Sequence, residues 1–592
     1  MMTTAAPSPV RTRSRWPSIA AVPVLLAIGV LLPIVIGMIA GSLTVPRNDD
    51  PAYRRVALEL YSTGRLTFNG WSEMTLIGQI AFAQPFLWLS GGSAWAFTAS
   101  TSVLAAGGIL CGYALARFVL SVPRAAMAVL LVLVFPGYLL NTTSYMTDVP
   151  AWSAELVCLW LGAVALSRSD GRRWIWLLTS LAVGCFAFSI REFAAAAPAA
   201  VLGAHLATPL WRRRGYWVAG AAVILICLAV YVLKGMVPGA RVVTGSLLTR
   251  LLLADLKDGI ATLALMLLPV LFISIRSLRR GWRTLDVSVG VAAGLVMYRT
   301  PLLDLVRTRS MPQLVMGNLI DPYGALGLVA LPGSRPLLLA DHSWGILNVA
   351  ALAAGLVFFA VAGGIVGAAA RSARSFLNDA RVRMAAWHDL GSVSGMTLIF
   401  AALYGGGIFA WSFVFPAYDR YLWPLVIPIA ILVLRPRAGA DEGEIVASVD
   451  SRPRSIRLSP AVPVGLAVVT IALIASLSAG LLLNGDAFDA ARWHAGDNAV
   501  AGGANPTTLD AGFEWVTFHA TGSAVRAAAP AIGGKYETRW PSFHLCTLVS
   551  NSAMTDPQLT LRTVDKDAYQ LFLFAGPSES LYVYSVQGAG CP

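Results

Sequence analysis

Asp49 and Asp50 stand side by side where the first long apolar run of the chain ends. A carboxylate there can act as a general base, which needs only the ionised form and hydrogen-bond reach of a hydroxyl. Three further charged groups mark the ends of apolar runs: Asp148 in NTTSYMTDVPAW, Arg191-Glu192 in SIREFAAAAP, and Tyr418-Asp419-Arg420-Tyr421 in FPAYDRYLWP. A guanidinium presents a planar fork of donors suited to an anionic ligand, so Arg191 and Arg420 are candidates to hold one. Plainer readings stand beside these. Asp50 and Asp148 are each placed to cap the helix that follows. Arg191 and Glu192 can pair with one another, because charges embedded in lipid are costly alone. Tyr418 suits an interfacial anchor. Asp49 has no comparable local task.

The elements that must position these residues are membrane helices. With 57% hydrophobic and 13% charged residues and a mean hydropathy of +0.68, the chain lacks the roughly 25% charge that covers a soluble fold. Its apolar blocks run near the length that crosses about 30 Å of hydrocarbon. Spans are expected near 17–42, 95–118, 124–141, 149–167, 174–190, 192–210, 215–233, 257–275, 285–305, 344–370, 391–414, 420–434 and 460–483. The net charge of +13 does not point to nucleic acid, because the basic residues sit in short loops rather than one patch. Alternate loops, from Arg11–Arg15 through Arg212–Arg214 to Arg435–Arg457, hold 24 of the 44 Lys and Arg residues. These loops are therefore cytoplasmic, the N-terminus is inside, and thirteen crossings leave the C-terminus outside. The expected fold is an all-α polytopic membrane protein with about thirteen transmembrane helices and a small C-terminal extracytoplasmic α/β domain.

This divides the chain into a cytoplasmic N-terminus (1–16), a transmembrane module (17–434) with an outer loop over 43–94, a cytoplasmic linker (435–459), a last span (460–483) and the C-terminal domain (484–592). Within the outer loop, Tyr53, Val56, Ala57, Leu60 and Tyr61 recur at helical spacing with Arg54, Arg55 and Glu59 between them, which predicts an amphipathic helix lying on the membrane. Pro51 suits its first turn and Gly64 its end. In the tail, TLDAGFEWVTF, HLCTLVS, LTLRTV, YQLFLFA and LYVYSVQ read as strands. Cys111, Cys158, Cys185 and Cys227 fall in spans as apolar packers. Cys546 and Cys591 alone lie in the tail and are candidates for a disulfide. No Cys or His spacing suggests a metal site; no cofactor is required, and a divalent cation is compatible with the sequence but not indicated by it.

Taken in order, these pieces resemble the GT-C superfamily of integral membrane glycosyltransferases, in its protein O-mannosyltransferase and lipid A aminoarabinose transferase branch (glycosyltransferase family 39). Asp49-Asp50-Pro51-Ala52-Tyr53, followed by Ala57 and Gly64, resembles that branch's first-loop pattern of two acids, a Tyr and a juxtamembrane helix. Asp50 stands where Glu is commoner. Thr147-Asp148 with Pro150 resembles the second-loop acidic motif, Arg191 falls where a basic residue is frequent, and Arg420-Tyr421 with Pro424 and Pro428 resembles a late Arg-Tyr segment near the lipid phosphate. The resemblance runs over about residues 15–435 and omits the tail. One departure is the Lys-Pro-Pro segment of the aminoarabinose branch, in whose neighbourhood this chain has Glu73-Met74-Thr75.

The resemblance implies an inverting glycosyltransferase of the plasma membrane that moves a sugar from a polyprenyl-phosphate-linked donor to an extracytoplasmic glycan, lipid or protein. Asp49 and Asp50 would be catalytic, and Tyr53, Asp148, Arg191, Glu192, Arg420 and Tyr421 would bind substrate. The competing class is a transporter or flippase of lipid-linked or envelope precursors. Transporters commonly show inverted repeats and midplane charges. Here no internal repeat is visible and the candidate charges gather at one face, which favours the enzyme.

Overall fold

The computed structural model describes residues 16–69, 74–239, 249–278, 282–307, 313–317, 341–378, 389–413, 417–435, 461–519, 545–570 and 578–587, with isolated positions between them including Cys591. The N-terminal stretch 1–15, nearly all of the expected linker 435–459, Glu73 and most of the run YQLFLFA lie outside these residues.

The chain forms a helical membrane bundle with a small sheet at its C-terminal end. Among the described residues, nine helices are long and apolar enough to cross a membrane, and ten if the pair Thr284–Met297 and Arg299–Arg307, bent by 65°, is one span. Three of the thirteen expected spans form shorter apolar helices: Val122–Leu133, Glu192–Leu206 and Trp423–Leu434. The first of these breaks at Val134–Gly137, where Gly137 takes a left-handed φ of 88°, and continues as the short helix Tyr138–Thr143. Helices facing lipid keep apolar side chains exposed, as Trp217, Val218, Ile224 and Leu225 do on Arg214–Met236.

Close helix contacts come from small residues. A Cβ on Gly108 of Trp95–Arg117 would stand 2.8 Å from Cα of Ser153 on Asp148–Leu166, so only glycine lets these two helices meet there. An aromatic hub then locks the ends that carry charge. Tyr138 lies edge-on to Trp152 at 5.4 Å and to Trp423 at 5.5 Å, while Phe135 meets Trp423 at 6.2 Å. Trp152 sits one turn after Asp148, and Trp423 three residues after Arg420.

Residues 43–94 are more than a loop with one helix. The juxtamembrane helix Asp50–Thr63 forms as its spacing predicts, with Pro51 in the first turn and Gly64 closing it at φ 70°. A second helix, Ile77–Ser90, follows, and Ile80, Ala83 and Leu87 from it share a core with Ala52, Val56 and Ala57. Arg54 departs from the polar-face reading: it is buried, because it pairs with Asp50.

The last helix does not end at 483 but runs Ala461–Ala501, so the boundary expected at 484 falls inside it. The sheet has the order β1-β2-β4-β3, with β1 (Leu509–Asp510) parallel to β2 (Thr547–Ser550), and β4 (Glu579–Val586) antiparallel to both β2 and β3 (Leu559–Tyr569). TLDAGFEWVTF is a strand only at its start; Phe513–His519 is helical. Phe488, Ala491 and Ala495 of the last helix bury against Val549, Leu581 and Val583 of the sheet, so membrane helix and C-terminal domain share one core. Cys546 and Cys591 are disulfide-bonded and tie the start of β2 to the chain end. Cys111, Cys158, Cys185 and Cys227 are free.

Candidate active site

Asp49, Asp148, Arg191 and Arg420 come from four separate stretches of sequence, and the bundle brings them together at one end of its spans. Asp148 is the centre. Its Oδ1 receives Nη1 of Arg191 and lies 3.5 Å from Nε of Arg420. Nη2 of Arg420 in turn lies 3.9 Å from Oδ2 of Asp49. Asp148, Arg191 and Arg420 are within 5% exposure, whereas the Asp49 side chain is 25% exposed. Among the described residues, Arg191 Nε, Arg420 Nη1 and Asp148 Oδ2 are buried without a hydrogen-bond partner. Buried polar atoms are nearly always bonded. Unused donors on two adjacent guanidiniums therefore mark a place for acceptor oxygens.

Aromatic side chains hold the arginines. Arg191 lies over the Tyr421 ring at 4.2 Å, and Arg420 over Tyr418 at 5.2 Å. Arg420 is further fixed by its neighbour, because Asp419 accepts from the Arg420 backbone N–H at 2.7 Å and from Ile320 N–H at 2.6 Å. Tyr53 is buried on the juxtamembrane helix, and its phenol is pushed well above its ordinary pKa, first by burial and next by Asp49. Arg420, Asp148 and Arg191 also act on that phenol, which places Tyr53 within the same charged group.

Several plainer readings fall away. The helix begins at Asp50, but neither Asp49 nor Asp50 caps it with its side chain. Asp50 is fully buried and paired with Arg54 through Nε and, at 2.7 Å, Nη2; it also accepts from Ser144 Oγ at 3.2 Å and Tyr145 N–H at 3.0 Å. Asp50 thus ties the first loop to the second, and its carboxylate is spent on that. Asp148 starts its helix without capping it, because its oxygen faces the two arginines. Arg191 and Glu192 do not pair with each other. The chain leaves Arg191 in extended backbone, φ −152° and ψ 134°, before the 3-10 turn Glu192–Ala195, and Arg191 pairs with Asp148. Glu192 lies 3.7 Å from Lys234 instead.

Sequence reasoning missed four buried charges here. Arg54 looked like a polar-face residue, and Arg47 and Lys234 lay in no motif. Glu155 is buried with Oε2 unpartnered among the described residues, and its signal was a lone carboxylate within an apolar span. Among the described residues no group of three or more His, Cys, Asp and Glu side chains could hold a metal ion.

The bundle and its charged cluster define a multi-pass membrane protein with a buried group of paired charges at the end of its spans. Residues 80–233 match the family model Dolichyl-phosphate-mannose-protein mannosyltransferase, which includes Asp148 and Arg191, and the match bears out the resemblance to GT-C glycosyltransferases. The match spans 80–233 of the 592 residues, so over that stretch the chain is similar to this family. No curated protein matches it. Among solved structures, ArnT from Cupriavidus metallidurans bound to undecaprenyl phosphate is similar at 12% identity and TM-score 0.41, covering 98% of this chain and 99% of that one. The Archaeoglobus fulgidus oligosaccharyltransferase in its apo form is similar at 14% identity and TM-score 0.42, covering 91% of this chain and 70% of that one.

Proposed function

We propose that the protein transfers a sugar, with inversion, from a polyprenyl-phosphate-linked donor to an acceptor hydroxyl on a glycan, lipid or protein outside the cytoplasm. The observation that carries this reading is the pairing of a partly exposed Asp49 with Arg420, whose unused donors lie beside those of Arg191. Asp49 takes the proton of the acceptor hydroxyl as its oxygen attacks the anomeric carbon. The bond from that carbon to the phosphate oxygen breaks on the opposite face, and the departing prenyl phosphate gains negative charge. Arg191 and Arg420 meet that charge; preorganised cations aimed at developing charge stabilise the transition state without reorganising. Asp148 holds both guanidiniums in place rather than touching the sugar, and Tyr421 supports Arg191 from below. Asp50 and Glu192 take part through position, Asp50 by anchoring the residue after Asp49.

A lipid-linked donor reaches its site sideways from the bilayer, which suits a charged cluster at span ends. The match to a family described by dolichyl-phosphate-mannose supports a prenyl-phosphate donor here. The test is transfer by the purified protein in lipid nanodiscs from a panel of prenyl-phosphate sugars, followed by release of prenyl phosphate. Release that requires Asp49 is expected. Release that is equal in Asp49→Asn, or absent from every donor on the panel, would overturn the reading.

A further inference from the structure

Asp49 is held from both sides, and one side belongs to the C-terminal domain. After it, Asp50 is fixed by Arg54 and Tyr145 N–H. Before it, Arg47 is 1% exposed and reaches into the last helix, donating Nε to Asp489 at 2.6 Å and Nη2 to Asp486, with Nη1 to Thr143 at 3.2 Å. Asn48, whose φ of 53° is left-handed, donates its backbone N–H to Glu514 Oε1 at 3.1 Å. Arg492 closes the network: it donates to Glu514 Oε2 at 2.9 Å and to Asp489 Oδ1 at 2.8 and 3.0 Å, and is wholly buried.

Burying two cations and three carboxylates is expensive unless each is paired, and such networks are kept where they fix one arrangement. Here the fixed arrangement is local. The network grips the two residues that precede Asp49, from elements more than 430 residues further along the chain. The helix Phe513–His519 also packs on the juxtamembrane helix, where Arg55 Nη1 donates to Thr517 O at 3.4 Å. We propose that the C-terminal domain is the positioning element for Asp49, with Glu514, Asp489 and Arg492 as positioning residues that hold the Arg47-Asn48 segment and so aim the carboxylate. This rests on the reading of Asp49 as the base.

The experiment uses the full chain in nanodiscs. Glu514→Met removes the acceptor for Asn48 N–H and should lower kcat on the order of a hundredfold, as misplacement by about 1 Å does, with donor KM unchanged. Glu514→Gln keeps an oxygen acceptor and should restore most of the rate. If Glu514→Met does not fold, Asp489→Asn, which keeps shape and weakens the Arg47 and Arg492 pairs, should lower kcat the same way without moving KM. A second readout is independent of catalysis: a charged, membrane-impermeant thiol reagent should label Asp49→Cys at a different rate when Glu514→Met or Asp489→Asn is added. Unchanged kcat and labelling in the folded variants would overturn the proposal, as would a loss expressed in donor KM alone. If Asp49→Asn retains transfer, the base reading fails while the labelling arm still reports whether the segment is held.

Discussion

Oδ1 of Asp148 serves Arg191 and Arg420 at once, with Arg420 Nε at 3.5 Å and both partners buried. Two guanidiniums this close repel unless a carboxylate lies between them. Arg191→Ala or Arg420→Ala should therefore weaken donor binding, and Arg420→Lys should not restore it, because an ammonium lacks the fork that reaches Asp148 and a phosphate together. Asp148→Ala should also lower the unfolding free energy by about 3–5 kcal/mol, the usual cost of breaking a buried pair. Donor affinity by titration and thermal unfolding check both. Unchanged affinity in both Arg→Ala variants would leave them as anchors.

Asp49→Asn keeps size and most hydrogen bonding but cannot take a proton. Folding should survive while kcat falls about a hundred- to ten-thousand-fold, the range for general-base catalysis. Asp50→Asn should behave differently from a cap replacement, which would be nearly silent. It leaves Arg54 buried with a weakened partner, so the expected outcome is a lower Tm first and a lower rate only as a consequence. A variant at 50 with native Tm and no transfer would move the base to Asp50.

The His519 ring lies tilted against Trp515 at 4.3 Å, and burial, followed by Arg55, lowers its imidazole from 6.5 to about 4. Between these values the unfolded chain binds a proton that the folded chain does not. Stability is therefore full above pH 6.5 and declines as pH falls toward 4. His519→Phe should flatten that part of the Tm against pH curve. An identical slope in the variant would show that the imidazole is not held neutral.

A reporter active only after export, fused behind Pro592, should be active if the arginine bias sets the topology. In the same preparation Cys546 and Cys591 should resist a thiol reagent until reduced. Activity of a reporter that works only in the cytoplasm would place the C-terminal domain and the site inside.

Composition alone determined that lipid is the solvent, because apolar blocks of span length cannot be folded any other way in this number. Spacing alone determined the juxtamembrane helix, since Pro51, the apolar stripe and Gly64 are local signals. Local signals also made candidates of Asp49, Asp148, Arg191 and Arg420, because a charge at the end of an apolar run stands out in one dimension. What each charge faces was decided only by tertiary structure. Asp148 and Asp50 look alike in sequence as acids before a proline-containing helix start, yet one holds two arginines of the site and the other is consumed by Arg54 and Tyr145. Arg47 carried no signal at all, since a buried ion pair with Asp486 and Asp489, hundreds of residues away, leaves no periodicity in the chain. Pairing across a fold depends on which helices meet, and that is settled by packing such as Gly108 against Ser153 and Tyr138 between Trp152 and Trp423.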